Sequence, residues 1–244
     1  MIRFLLVATF VILFLVLSIP LLFIEWIIGK FNMDLKNKSS LAIVNWAFRV
    51  CLFLSGTSVT VIGEENVPKD VPVLYIGNHR SYFDILITYI RVPRPTGYIA
   101  KKEMLRYPLL SNWMKNLHCL FLDRKDIKQG LKTILTAIEK VKSGISICIF
   151  PEGTRNRVND TFMEFHEGSF KIAEKTGCPI IPMSINNSAQ IFEDHIPKIK
   201  KAHVVLEYGK PIYPAELSKE DRKHLGVYTQ NIIKETYFKN KELV

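Results

Sequence analysis

Residues 4–24 carry no charged side chain, and Pro20 is the only strong helix breaker among them. Drawn as one helix, this run would be about 31 Å long at ~1.5 Å per residue, close to the ~30 Å hydrocarbon core of a bilayer. It continues past Pro20 as LLFIEWIIG without a small-residue cleavage site, which argues against a removable leader. Arg3 precedes it and Lys30, Lys36 and Lys38 follow, a lysine excess that puts the rest of the chain on the cytoplasmic face of the cell membrane. A second apolar stretch, residues 41–55, holds Trp46 and Phe53 but is interrupted by Asn45 and Arg49. It reads as an interfacial helix with Arg49 reaching for lipid headgroups. A buried core helix is the competing reading. Two arrangements stay open: a spanning helix with a surface helix beside it, or a hairpin embedded in one leaflet. Residues 1–55 are therefore taken as membrane-associating helices and 56–244 as the folded domain, with the boundary near Gly56.

The 244 residues suffice for one good-sized core. Hydrophobic residues make up 48 %, too many for a disordered chain, and only the first quarter is strongly apolar, which argues against a polytopic membrane protein. The formal net charge of +10 points to anionic partners: phospholipid headgroups, phosphorylated substrates or nucleic acid. No nucleic-acid-binding motif accompanies the charge. Cys51, Cys119, Cys148 and Cys178 form no C-x-x-C pair and sit in apolar stretches, as buried reduced thiols do. The histidines show no zinc-ligand spacing, so no metal site is expected.

Beyond Gly56, short β-branched and aromatic runs predict strands at 59–62, 73–76, 98–100, 119–122, 145–150, 180–185 and 204–208. Helical patterns lie between several of them, at 126–142, 169–175 and 218–238. Strands alternating with helices predict an α/β domain, a mostly buried mixed sheet flanked by helices.

Two strand ends carry chemistry. Residues 78–84 read NHRSYFD. On a continuous helix His79 and Asp84 would diverge by about 140°, so they meet only with His79 in a loop and Asp84 in a first helical turn. Ser81-x-x-Asp84 is a capping-box pattern that allows this, with Ser81 as N-cap. A loop histidine beside a helix cap is the bland alternative. Residues 150–157 read FPEGTRNR, a tight turn off a strong strand followed by Arg155 and Arg157. Ligands of α/β sheets collect at such strand ends, and the planar donor fork of arginine matches phosphate. Two further strands end at Lys101 and at Asp123-Arg124.

NHRSYFD, the Lys101-x-Glu103 and FLDR pair, FPEGTR and IIPMSI stand in the order and rough spacing of the four blocks of the glycerolipid acyltransferases, across residues 73–185. The chain resembles this family, and within it the bacterial lysophosphatidate acyltransferases. The resemblance implies transfer of a fatty acyl group from acyl-CoA or acyl carrier protein to the sn-2 hydroxyl of lysophosphatidate. The product is phosphatidic acid, in phospholipid biosynthesis at a membrane lipid surface. It implies His79 as general base, Asp84 as its orienting carboxylate, and Lys101, Arg124 and Arg155 as ligands of the acceptor phosphate. Glu152, Gly153 and Thr154 would shape the substrate site, and no cofactor is implied. Another lysolipid or glycerol 3-phosphate as acceptor, or a lipid-binding protein without catalysis, are the alternatives. Two positions depart from the family pattern. His118 stands where a glycine is usual, which would narrow the pocket or shift substrate preference, and His166 follows Phe165 where the family has another basic residue.

Overall fold

Seven strands form one sheet in the order β1-β7-β6-β2-β5-β3-β4. In the computed structural model, which describes residues Met1–Val244, the strands are β1 (Ser58–Ile62), β2 (Leu74–Gly77), β3 (Thr96–Lys101), β4 (Leu120–Leu122), β5 (Ser146–Ile149), β6 (Ile180–Asn186) and β7 (His203–Tyr208). β6, β2, β5, β3 and β4 run parallel, and β7 turns antiparallel to β6 with β1 parallel to it. All seven predicted strands are present, and the sheet is mixed as expected.

The helices are α1 (Ile2–Leu17), α2 (Ile19–Phe31), α3 (Met33–Ser55), α4 (Phe83–Tyr89), α5 (Pro108–Asn116), α6 (Ile127–Lys142), α7 (Lys171–Thr176), α8 (Lys219–Lys223) and α9 (Leu225–Lys239). Strand alternation sorts the core onto two faces. Tyr75 and Cys148 join Val44 of α3, Phe83 of α4 and Trp113 of α5 on one face. Leu74, Ile76, Ile147 and Ile149 join Ala137 of α6, Ala173 of α7 and Ile233 of α9 on the other. Asp126 caps α6 by accepting the Gln129 N–H at 3.1 Å, a bond worth about 1 kcal/mol.

The N-terminal run is not one straight helix. Pro20 lacks an N–H, so the chain breaks at Ser18 and α1 and α2 meet at 49°. No single helix is long and apolar enough to cross a membrane, but the bent pair passes that test by length and composition. Both helices pack along α3. Buried Glu25 of α2 accepts hydrogen bonds from Ser39 and Ser40 of α3, at 3.0 and 2.8 Å. The Ser18 hydroxyl at the break accepts the Trp113 indole N–H at 2.9 Å.

The interfacial expectation for residues 41–55 gives way to the competing one. Val44, Ala47, Cys51 and Leu52 of α3 are buried, the first and last of them in the same core as the sheet. Arg49 donates to the Ile90 carbonyl at 3.3 Å, so it has a protein partner where a headgroup was expected. Trp46 and Phe53 on the opposite side stay exposed. Gly56, at φ 73°, ends the helix in the left-handed conformation. The four cysteines are free, and Cys119 alone is not fully buried.

Candidate active site

The parallel register of β2 and β5 pairs Ile76 with Ile149. His79 and Glu152 each lie three residues beyond that pair, so NHRSYFD and FPEGTR leave the sheet side by side. Side chains and backbone then join them. Glu152 is buried; one of its oxygens accepts the His79 N–H at 2.9 Å and the other the Met163 N–H at 3.1 Å. The Asn156 N–H donates to the His79 carbonyl at 2.8 Å. Asn78 pairs through its side-chain amide with both backbone groups of Ile185, at 2.9 Å each. Both backbone polar groups of His79 are thereby fixed, and its ring stacks on Phe150 with centroids 4.4 Å apart.

His79 Nδ1 donates to Asp84 Oδ2 at 2.8 Å, and Nε2 has no protein partner. The same Asp84 oxygen accepts the N–H groups of Arg80 and Ser81, at 2.7 and 2.8 Å. Asp84 is fully buried, whereas the His79 side chain keeps 15 % of its surface open. This is the loop-plus-first-turn geometry required by the five-residue separation. The cap differs in detail from the expected box. α4 begins at Phe83, and the Ser81 hydroxyl accepts the Phe83 N–H at 3.0 Å instead of the Asp84 N–H. The reciprocal half, Ser81 N–H to Asp84, is formed. Burial raises the Glu152 pKa, and the two backbone N–H groups it accepts pull the other way.

The expected cations occupy different places. Arg124 stands at the rim of the turn, its Nε 4.0 Å from where a Cβ would sit on Gly153. Nearby groove atoms partly desolvate the Arg124 guanidinium and lower its pKa, while Glu103 acts in the opposite sense. Arg155 lies over the Tyr82 ring at 3.6 Å and donates through Nη1 to Glu193 at 2.8 Å. Lys101 is exposed at the end of β3 and pairs with no carboxylate, whereas its neighbour Lys102 bonds Asp123 at 2.6 Å. Gly153, at φ 71°, turns the chain in a left-handed conformation. A side chain there would meet His166 at 3.2 Å as well. Thr154 is half-buried in the same turn.

A groove of about 920 Å³ opens beside Arg124 and Gly153. Ile99, Leu122 and Phe150 line it from the sheet, and Ile127, Leu131 and Leu135 from α6. The apolar stripe of α6 is therefore divided. Ile138 and Val141 are buried in the core, while Ile127 is 89 % and Leu131 60 % exposed along the groove.

His118 lies outside the groove. It adopts φ 60°, in the left-handed region that favours glycine, and Nε2 lies 2.9 Å from the Asn37 side-chain oxygen on α3. It therefore narrows no pocket. Burial, with Lys140 and Lys36 nearby, lowers its pKa to about 4. Glu193 is the site neighbour outside every motif, and Tyr82, inside NHRSYFD, was given no role by motif reading. His166 was noticed only as a departure, and it stands against Gly153 at the groove mouth.

A family model described as Acyltransferase matches residues 58–186. The 1-acyl-sn-glycerol-3-phosphate acyltransferase of Borreliella burgdorferi is 32 % identical over 196 residues, 80 % of this chain and 78 % of that one. The enzyme of the same name from Saccharomyces cerevisiae is 29 % identical over 175 residues, covering 71 % of this chain and 57 % of its own. The crystal structure of the 1-acyl-sn-glycerophosphate acyltransferase PlsC from Thermotoga maritima superposes with a TM-score of 0.80. It is 24 % identical in sequence, and the match covers 97 % of this chain and 94 % of that one, so the two share a fold.

Proposed function

For a chain that belongs to the acyltransferase family, we propose the reaction of its relatives' name: acylation of 1-acylglycerol 3-phosphate at the sn-2 hydroxyl, giving phosphatidic acid. The observation that carries this reading is the His79–Asp84 pair. Asp84 accepts a hydrogen bond from the Nδ1–H at 2.8 Å and so leaves Nε2 as the free basic nitrogen at the sheet edge. His79 Nε2 accepts the proton of the sn-2 hydroxyl as its oxygen attacks the thioester carbonyl. Asp84 stabilises the imidazolium that forms, as the acid does in a Ser-His-Asp triad, with the acceptor hydroxyl in the place of serine. The tetrahedral adduct collapses, the C–S bond breaks, and the imidazolium returns its proton to the departing thiolate. No acyl-enzyme is needed.

Arg124, beside Gly153, and Arg155, two residues beyond it in the chain, bind the acceptor phosphate, and Lys101 adds positive charge at the end of β3. Glu152 fixes the His79 backbone, and Gly153 and Thr154 form the turn that leads to Arg155. The apolar groove beside Arg124 suits a fatty acyl chain, whose methylenes gain about 0.8 kcal/mol each on leaving water. The donor is an acyl thioester, either acyl-CoA or acyl carrier protein. The bent α1–α2 pair holds the enzyme on the cytoplasmic face of the membrane, where both the acceptor and the product reside.

The test is an assay of the purified full-length protein with oleoyl-CoA and with oleoyl acyl carrier protein. The acceptors are lysophosphatidate, glycerol 3-phosphate, lysophosphatidylcholine and monoacylglycerol. The reading expects lysophosphatidate to be used with the highest kcat/KM. Turnover confined to an acceptor without a phosphate monoester would overturn it.

A further inference from the structure

Arg155 is held by a residue outside every block of the motif set. Glu193 lies in a single 3-10 turn (Glu193–His195) after β6, 38 positions from Arg155 and 112 from Ser81. Its side chain is only 14 % exposed. One carboxylate oxygen accepts both the Arg155 Nη1–H and the Tyr82 backbone N–H, each at 2.8 Å. The other accepts the Ser81 hydroxyl. The turn itself is anchored, since Phe192 stacks on Phe4 of α1 with centroids 5.9 Å apart. From this geometry we propose that Glu193 is a positioning residue for the acceptor phosphate. It fixes the Arg155 guanidinium against the Tyr82 ring and ties it to the loop that carries His79.

The physical argument concerns degrees of freedom. A guanidinium whose carbon sits 3.6 Å from the centre of an aromatic ring is held at that distance but can still turn above the ring. The bond from Nη1 to Glu193 removes that rotation and leaves the remaining N–H groups at a set bearing. A planar donor fork recognises phosphate only when its bearing is fixed. Through Ser81 and Tyr82 the same carboxylate links that bearing to the turn whose N–H groups Asp84 accepts. The phosphate anchor and the general base are thus fixed to one another.

Coulomb attraction alone predicts the opposite sign. Glu193 places a negative charge beside a cation meant for a dianionic phosphate. If it merely competed for Arg155, its removal would tighten acceptor binding. Positioning predicts weaker binding, and the two readings separate in KM.

The proposal rests on the lysophosphatidate reading, so wild-type turnover of lysophosphatidate in the same assay tests that reading by itself. Glu193→Ala is expected to raise KM for lysophosphatidate about 10- to 100-fold with kcat lowered less than about tenfold, as loss of one charge-assisted bond would. Glu193→Gln keeps one acceptor oxygen and is expected to fall between the two, and it carries the test if the alanine variant fails to fold. Arg155→Ala with Glu193→Ala should match Arg155→Ala alone in KM, because only an arginine can be positioned. A KM within about twofold of wild type, a lowered KM, or independent multiplication of the two single effects would overturn the proposal. A residue that merely supports the fold would lower kcat with the active fraction and leave KM in place.

Discussion

The Glu152 carboxylate accepts the backbone N–H of His79 at 2.9 Å, so the second motif holds the histidine of the first. The bond follows from sheet register: β2 and β5 are parallel neighbours, and both residues stand three positions past the Ile76–Ile149 pair. A group that fixes the backbone of a general base affects rate through geometry.

Replacing Glu152 separates charge from shape. Glu152→Gln keeps an acceptor for His79 N–H but turns a donor toward the Met163 N–H. It is expected to lower kcat about tenfold. Glu152→Ala removes both bonds and leaves two buried N–H groups unsatisfied, at about 1–3 kcal/mol each. It should lower the thermal midpoint and cut kcat by about 10²-fold or more. Parallel melts and initial rates check both.

His118 makes stability fall with acidity. Its pKa in the fold is depressed to about 4, against an ordinary histidine value of 6.5. The unfolded chain therefore takes up the proton first. The contribution is fully present above pH 6.5 and is lost as the pH falls through 4. After allowance for partial exposure the effect is about 1–2 kcal/mol. His118→Asn tolerates the positive φ and has no titrating group. Urea midpoints of wild type should fall faster than those of the variant between pH 7 and pH 4.5, and parallel curves would refute the assignment.

The proposed membrane anchor, α1 with α2, is expected to separate from the fold at Asn32 and not at Gly56. Deleting residues 1–55 strips α3 from the core, where Val44 and Leu52 pack beside Tyr75 of the sheet. Deleting residues 1–31 removes α1 and α2 but leaves α3 in place. The shorter deletion is expected to give a folded protein that no longer floats with phosphatidylglycerol vesicles, and the longer one an insoluble product. Flotation of the 32–244 chain at the wild-type level would place the anchor elsewhere.

The strands were legible because each is a short apolar run, most of them β-branched or aromatic, closed by polar, glycine or proline residues, and buried parallel strands read as continuous apolar runs. The His79–Asp84 contact was legible from spacing, since only one loop-to-helix geometry lets those residues meet. The bend at Ser18 and the packing of α3 were not. A run of Leu, Ile and Phe has the same pattern against lipid as against a sheet, and Arg49 finds the Ile90 carbonyl only through the tertiary fold. Half of the α6 stripe was read as a helix face without its groove, because periodicity gives the apolar side and not what covers it. Glu193 left no local signal at all. It lies in an irregular turn, and all three groups that donate to it are distant in sequence.

The account stands on His79 Nε2 as the base that activates the acceptor hydroxyl. The direct measurement is release of free CoA or carrier thiol by His79→Ala with lysophosphatidate, at saturating donor and equal folded protein as judged by melting. The account predicts a fall in kcat of at least ~10²–10⁴-fold with an unchanged thermal midpoint, since a part-exposed loop side chain supports little core. Near-normal turnover by a folded His79→Ala protein would contradict it.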